Sequence, residues 1–268
     1  MISSFLKMLQ YDFLTRALIA GGILSACAAI LGVCLVLRNR SMISDGLSHV
    51  SFGAVAIAVV LGLSPTPIAI VVAILCSLLI LNSKRKNQND AVIAAFSASA
   101  LAIGTIAISI NSGANIDLNS YLFGSLLSIT QGDLICSTII GAITLGIFAV
   151  CYEHFFAITF DEDFAKAIGV KTSHHNIIIA ILSSITIVLG MKLLGALLIS
   201  SLIVFPCLTA MQFAKSFRQT VAISLVVAIL CFVFGLCASY TYQLPSGATI
   251  VVTNLIVFLF AKAYAFLR

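Results

Sequence analysis

Apolar runs about as long as a membrane is thick recur from one end of this chain to the other, and few architectures can be built from them. A helix needs about 20 residues to cross a hydrocarbon core roughly 30 Å thick. Runs that suit this cover residues 14–37, 43–63, 91–110, 134–151, 193–214, 221–240 and 250–267, with shorter ones at 68–81 and 177–191. The alternation expected of barrel strands is absent. Composition agrees: 61% of the 268 residues are hydrophobic and 9% charged, and the mean hydropathy is +1.20, values foreign to soluble domains. The expectation is an all-α, polytopic membrane helical bundle of about 8–9 transmembrane helices, forming one integral-membrane domain over residues 1–268.

The net charge of +5 resembles a nucleic-acid signal only while its distribution is ignored. Lys and Arg stand at the ends of apolar runs and form no basic surface interleaved with aromatics, so no nucleic-acid partner is expected. They report topology instead. Arg38, Arg40, Lys84, Arg85, Lys86, Lys166, Lys171, Lys215, Arg218, Lys262 and Arg268 share one side if the N-terminus is outside; only Lys7, Arg16 and Lys192 lie opposite. By the positive-inside rule the C-terminus is then cytoplasmic. Residues 1–13 carry Ile2, Phe5, Leu6, Leu9 and Phe13 at helical spacing around Lys7 and Asp12, the pattern of an interfacial helix rather than of a cleavable signal core. Residues 121–133 are too short to cross and read as a short helix at the membrane face, with Asp133 capping the next span. The eight Cys residues are single, with no CxxC pair, and read as small apolar packing groups.

The segment RNRSMISDGLSHVSFGAVAIAVVLG, residues 38–62, places Asp45 and His49 four residues apart in otherwise apolar surroundings. On a helix such residues lie one above the other, about 5–6 Å apart at Cβ, so a carboxylate and an imidazole can converge on one cation. An ionised Asp deep in lipid costs on the order of 2.5–3.5 kcal/mol and persists where it faces a cavity, a partner or an ion. Spacing alone also allows Asp45 to cap a helix from Gly46 and His49 to bond a neighbouring backbone. Two ligands fall short of the four that zinc takes or the roughly six of manganese. A twofold pair of chains would bring two carboxylates and two imidazoles together. Because metal ligands must be deprotonated, binding of a cation there is expected to weaken as His49 gains a proton.

Other candidates are weaker. His154, His174 and His175 read as solvated polar residues. Pro206 removes one backbone hydrogen bond and should kink its helix, either as a gate in a moving element or within packing eased by Gly195, Ala196, Ser200 and Ser201. Phe160, Phe164, Ala165 and Ile168 share one helical face, with Asp161, Asp163, Lys166 and Lys171 around it and Gly169 closing the segment as a C-cap. Such a helix docks into a partner or lies at the headgroups. With no GxxxxGK[ST], HExxH or GxSxG motif, no enzymatic activity is expected, and any ATP is hydrolysed by another chain.

Taken in order, SMISDGLSHVSFGAVAIA (41–58), DLNSYLFGSLLSI (117–129), TFDEDFAKAIGV (159–170), LLGALLISSLIVFPCLTA (193–210) and PSGATIVV (245–252) resemble the permease subunits of bacterial ATP-binding-cassette importers for zinc, manganese and related divalent cations. The resemblance samples nearly the whole chain. It implies a type II-like permease in the bacterial inner membrane, working as a homodimer or paired permease with two cytoplasmic ATP-binding subunits and an external metal-binding protein. It implies no resident cofactor; the cation, zinc or manganese with iron as a further candidate, is cargo. It maps metal coordination in the translocation path onto Asp45 and His49. The cytoplasmic coupling helix falls within residues 159–171, at about Asp161 to Gly169. Cys207 stands where the family usually has a small residue. Two rival readings are a secondary, ion-coupled cation transporter and a membrane scaffold that moves nothing.

Overall fold

The structure, a computed structural model, describes residues 11–81, 89–110, 124 and 129–267. Among these residues there are eleven helices and no strand: α1 (Asp12–Leu37), α2 (Met42–Val60), α3 (Pro65–Leu81), α4 (Asn89–Ile110), α5 (Gln131–Val150), α6 (Tyr152–Phe160), α7 (Glu162–Ala167), α8 (Thr172–Leu194), α9 (Ala196–Met211), α10 (Phe217–Tyr242) and α11 (Ser246–Leu267). Seven are long and apolar enough to cross a membrane, and α3 and α9 are shorter apolar helices. Together these nine coincide with the nine apolar runs. The interfacial helix expected over residues 1–13 falls mostly outside the described residues, as do Lys84, Arg85, Lys86 and most of 121–133.

Local chemistry explains where the helices stop. After α1 the chain turns through Asn39 at φ +55°, and Arg40 N–H donates to the Leu35 carbonyl at 2.8 Å. After α2, Gly62 adopts φ +68° and Leu63 N–H reaches the Ala58 carbonyl at 2.9 Å, satisfying a carbonyl left without a partner at the helix end. At the start of α5, Thr130 and Asp133 form a reciprocal capping box, so Asp133 acts from the third helical position rather than as the cap itself. Two boundaries differ from those expected. Pro65 and Pro67 lie in the first turn of α3, where their missing N–H groups cost nothing. The polar run Thr172–Asn176 is the first turn of α8 rather than loop, because a helix end outside the apolar layer needs no apolar residues.

α1, α2 and α8 are mostly buried, whereas α4, α5 and α11 expose most of their surface. The packing of α2 on α4 relies on small residues: a methyl at Gly53 would lie 2.6 Å from the Ala100 carbonyl oxygen, and one at Gly104 would lie 3.0 Å from the Gly53 Cα. Backbone cannot yield there without separating the helices. Gly53→Ala is therefore expected to destabilise the bundle by about 1–3 kcal/mol. Thermal unfolding in detergent checks this against Gly22→Ala, whose methyl meets nothing within 4 Å and should leave stability equal or slightly raised.

Candidate functional site

α2 is mostly buried between Met42 and Ile57, two apolar residues exposed near its ends. Of the residues from Ile43 to Ala56, all are buried except Asp45 and His49. The Asp45 side chain is 47% exposed and that of His49 is 20% exposed. The buried serines of the helix are satisfied within it, Ser48 Oγ donating to the Asp45 carbonyl at 2.7 Å and Ser51 Oγ to that of Leu47 at 2.6 Å. His49 Nε2 and Asp45 Oδ1 stand 3.7 Å apart, too far for a hydrogen bond. The gap instead suits one ion between them, since zinc bonds of about 2.1 Å to each atom would meet at roughly 120°. Among the described residues no group of three or more His, Cys, Asp or Glu converges.

The segment expected to form one amphipathic helix is divided. Phe160 ends α6, Asp161 is extended (φ −149°, ψ 105°), and its Oδ1 accepts from the N–H groups of Asp163 and Phe164 at 2.9 Å each, starting α7. Gly169, at φ +88°, follows the C-cap Ile168, and Val170 N–H closes onto the Ala165 carbonyl at 3.0 Å. Phe160, Phe164 and Ile168 are 64%, 60% and 58% exposed, while Ala165 is fully buried. Phe164 and Ile168 thus point away from the protein and Ala165 seats α7 against it, while the Phe160 ring also meets that of Phe217, 6.2 Å between centroids. α6 is held in turn by Phe217 at the start of α10, whose ring lies 5.5 Å from Tyr152 and 5.4 Å from Phe156.

Three polar residues that the sequence did not single out for a site meet beside α7. Arg38 Nη2 reaches Glu162 Oε2 at 3.0 Å, its Nη1 donates to Asn176 Oδ1 at 2.8 Å, and Asn176 Nδ2 donates to Glu162 Oε1 at 3.3 Å. Partial burial raises the Glu162 pKa, but Arg38, Lys166 and Arg40 outweigh it and hold the carboxyl below its ordinary 4.5. Its charge therefore stabilises the fold fully above about pH 4.5, and that contribution is lost as pH falls through the lowered value.

Pro206 lies buried inside α9, which continues past it to Met211. His154 and His175 stack with ring centroids 4.6 Å apart, and Lys192 Nζ pairs with Asp133 at 2.7 Å; no local pattern announces either contact. Gly124 packs against the Leu194–Gly195 turn.

The family model described as "ABC 3 transport family" matches residues 10–265. The chain is 29% identical over 262 residues to the manganese import system permease protein ScaB of Streptococcus gordonii, covering 97% of this chain and 94% of that one. It is 29% identical over 251 residues to the high-affinity zinc uptake system membrane protein ZnuB of Haemophilus influenzae, covering 93% and 96%. Among solved structures it is similar to a chain of PsaBC from Streptococcus pneumoniae in complex with Fab, with a TM-score of 0.86, 30% identity, and coverage of 97% of this chain and 95% of that chain.

Proposed function

We infer the function from the premise that this chain belongs to the ABC 3 transport family: it is the membrane-spanning permease subunit of an ATP-binding-cassette importer that moves divalent metal cations of the zinc and manganese type. It is a multi-pass membrane protein and works with ATP-binding subunits and a substrate-binding protein. ATP hydrolysis is assigned to the partner chain.

The cation passes between Asp45 and His49. What supports this reading most is that they are the two partly exposed positions in the otherwise buried stretch of α2 from Ile43 to Ala56. A second copy of the chain, related by a twofold axis, supplies the matching carboxylate and imidazole and completes the coordination. Imidazole with carboxylate suits zinc, manganese or ferrous iron, so the cargo's identity is left to availability and geometry.

Phe160, Phe164 and Ile168 form the surface for the cytoplasmic ATP-binding subunits, with Asp161 and Gly169 setting the limits of α7 and Ala165 anchoring it. The N-terminus lies outside and the C-terminus in the cytoplasm. Supporting this, Asn176 and Lys192 stand near opposite ends of α8, whose 23 residues span about 35 Å. Arg38 and Lys166 gather with Glu162 near the Asn176 end. Closure of two ATP-binding subunits pushes on α7 of each copy and switches access to the metal site, with Pro206 letting α9 bend as the path opens. Reconstitution in proteoliposomes with the ATP-binding subunits and the metal-binding protein should give ATP-dependent zinc or manganese accumulation. Equal flux by this chain alone would contradict the ATP-driven reading, and metal binding with no flux under any condition would make it a scaffold.

A further inference from the structure

We infer that Arg38 is a positioning residue for transport, a clamp that carries displacement of α7 into the turn that begins α2 and so to Asp45 and His49. The inference rests on the reading of those two residues as the metal's path.

Arg38 is the C-cap of α1, and its side chain is only 7% exposed. Both arms of its guanidinium are engaged, one by Glu162 at the start of α7 and one by Asn176 in the first turn of α8. The bond from Asn176 Nδ2 to Glu162 Oε1 closes the triangle, so no side of it pivots freely. A forked, charge-assisted contact fixes direction as well as distance. The chain beyond Arg38 is equally constrained. Asn39 turns through φ +55°, Arg40 N–H bonds back to the Leu35 carbonyl at 2.8 Å, and Ile43 N–H bonds the Arg40 carbonyl at 3.2 Å. α2 begins at Met42, and Asp45 stands in its first turn. A push on the exposed face of α7 thus reaches the metal-facing turn of α2 through one buried side chain and one tight turn, without crossing the bilayer core. Elsewhere α7 is six residues long with one buried side chain, Ala165, so the clamp is a large share of what holds it to the bundle.

The test uses the complete complex with its ATP-binding subunits and metal-loaded binding protein in proteoliposomes, and reads metal ions moved per ATP hydrolysed beside equilibrium manganese and zinc binding. Glu162→Gln keeps shape and removes charge. It is expected to lower ions per ATP by at least about fivefold, the lower end of ordinary coupling between sites, with metal affinity within about twofold of wild type. Arg38→Lys keeps the charge but cannot hold both partners and should lose a similar amount. Arg38→Lys combined with Glu162→Gln should be no worse than the more damaging single change, because both break the same link. Ions per ATP unchanged in Glu162→Gln, or losses that multiply in the double variant, would overturn the inference. If the Arg38 variants fail to assemble, Glu162→Gln decides alone, since it keeps the shape of a side chain that is 24% exposed against 7% for Arg38. A wild-type complex that moves no metal overturns the functional reading and this inference with it. Wild-type transport with undisturbed variants overturns this inference alone.

Discussion

Alanine at Asp45 is expected to lower zinc and manganese uptake by more than about 100-fold, and alanine at His49 to do nearly the same. Groups that merely orient a metal ligand are worth about 10–100-fold in affinity, and on the proposed reading these two touch the ion itself. On that reading Asp45 also supplies the charge that keeps a divalent cation tolerable near lipid. Asp45→Ala should leave assembly intact, because that side chain is 47% exposed, whereas His49 is 20% exposed and its variant is compared only as assembled complex. Radiometal uptake by complexes that still co-purify with their ATP-binding subunits is the measurement. Uptake within about threefold of wild type, well short of a lost ligand's effect, would remove both residues from the path.

The second large effect is expected at α7. Phe164→Asp and Ile168→Asp put charges where exposed apolar side chains now offer 60% and 58% of their surface. If an ATP-binding subunit docks there, these are central anchors, each worth about 2–4 kcal/mol, or roughly 30- to 1,000-fold in affinity. ATP-dependent uptake should fall with the loss of that subunit from the purified complex, while the permease keeps its thermal stability. Full retention of the subunit by both variants would show that this face meets headgroups instead.

The parts of this molecule that were legible in its sequence are those fixed by neighbours along the chain. Each expected apolar run coincides with a helix, because crossing a membrane demands length and low charge that no tertiary contact can supply. The Asp45 and His49 pair was visible for the same reason: i and i+4 share a helical face whatever surrounds it. Boundaries that depend on one residue were less legible. Asp161 is a better N-cap than a helix-interior residue, so it ends α6 and starts α7, which separates Phe160 from Phe164, Ala165 and Ile168. Contacts distant in sequence left no trace. Arg38 meets Glu162 across 124 positions and Asn176 across 138, and Lys192 meets Asp133 across 59. In the sequence Arg38 and Lys192 were topology markers, and only folding shows each with a specific acid.

The most direct test is anomalous diffraction from crystals of the complex grown with manganese, compared above and below the metal's absorption edge. The account predicts one peak on the twofold axis between two copies of α2, within bonding distance of an Asp45 carboxylate oxygen and a His49 ring nitrogen from each. A peak coordinated elsewhere, with Asp45 and His49 turned from it and from each other's copies, would contradict it.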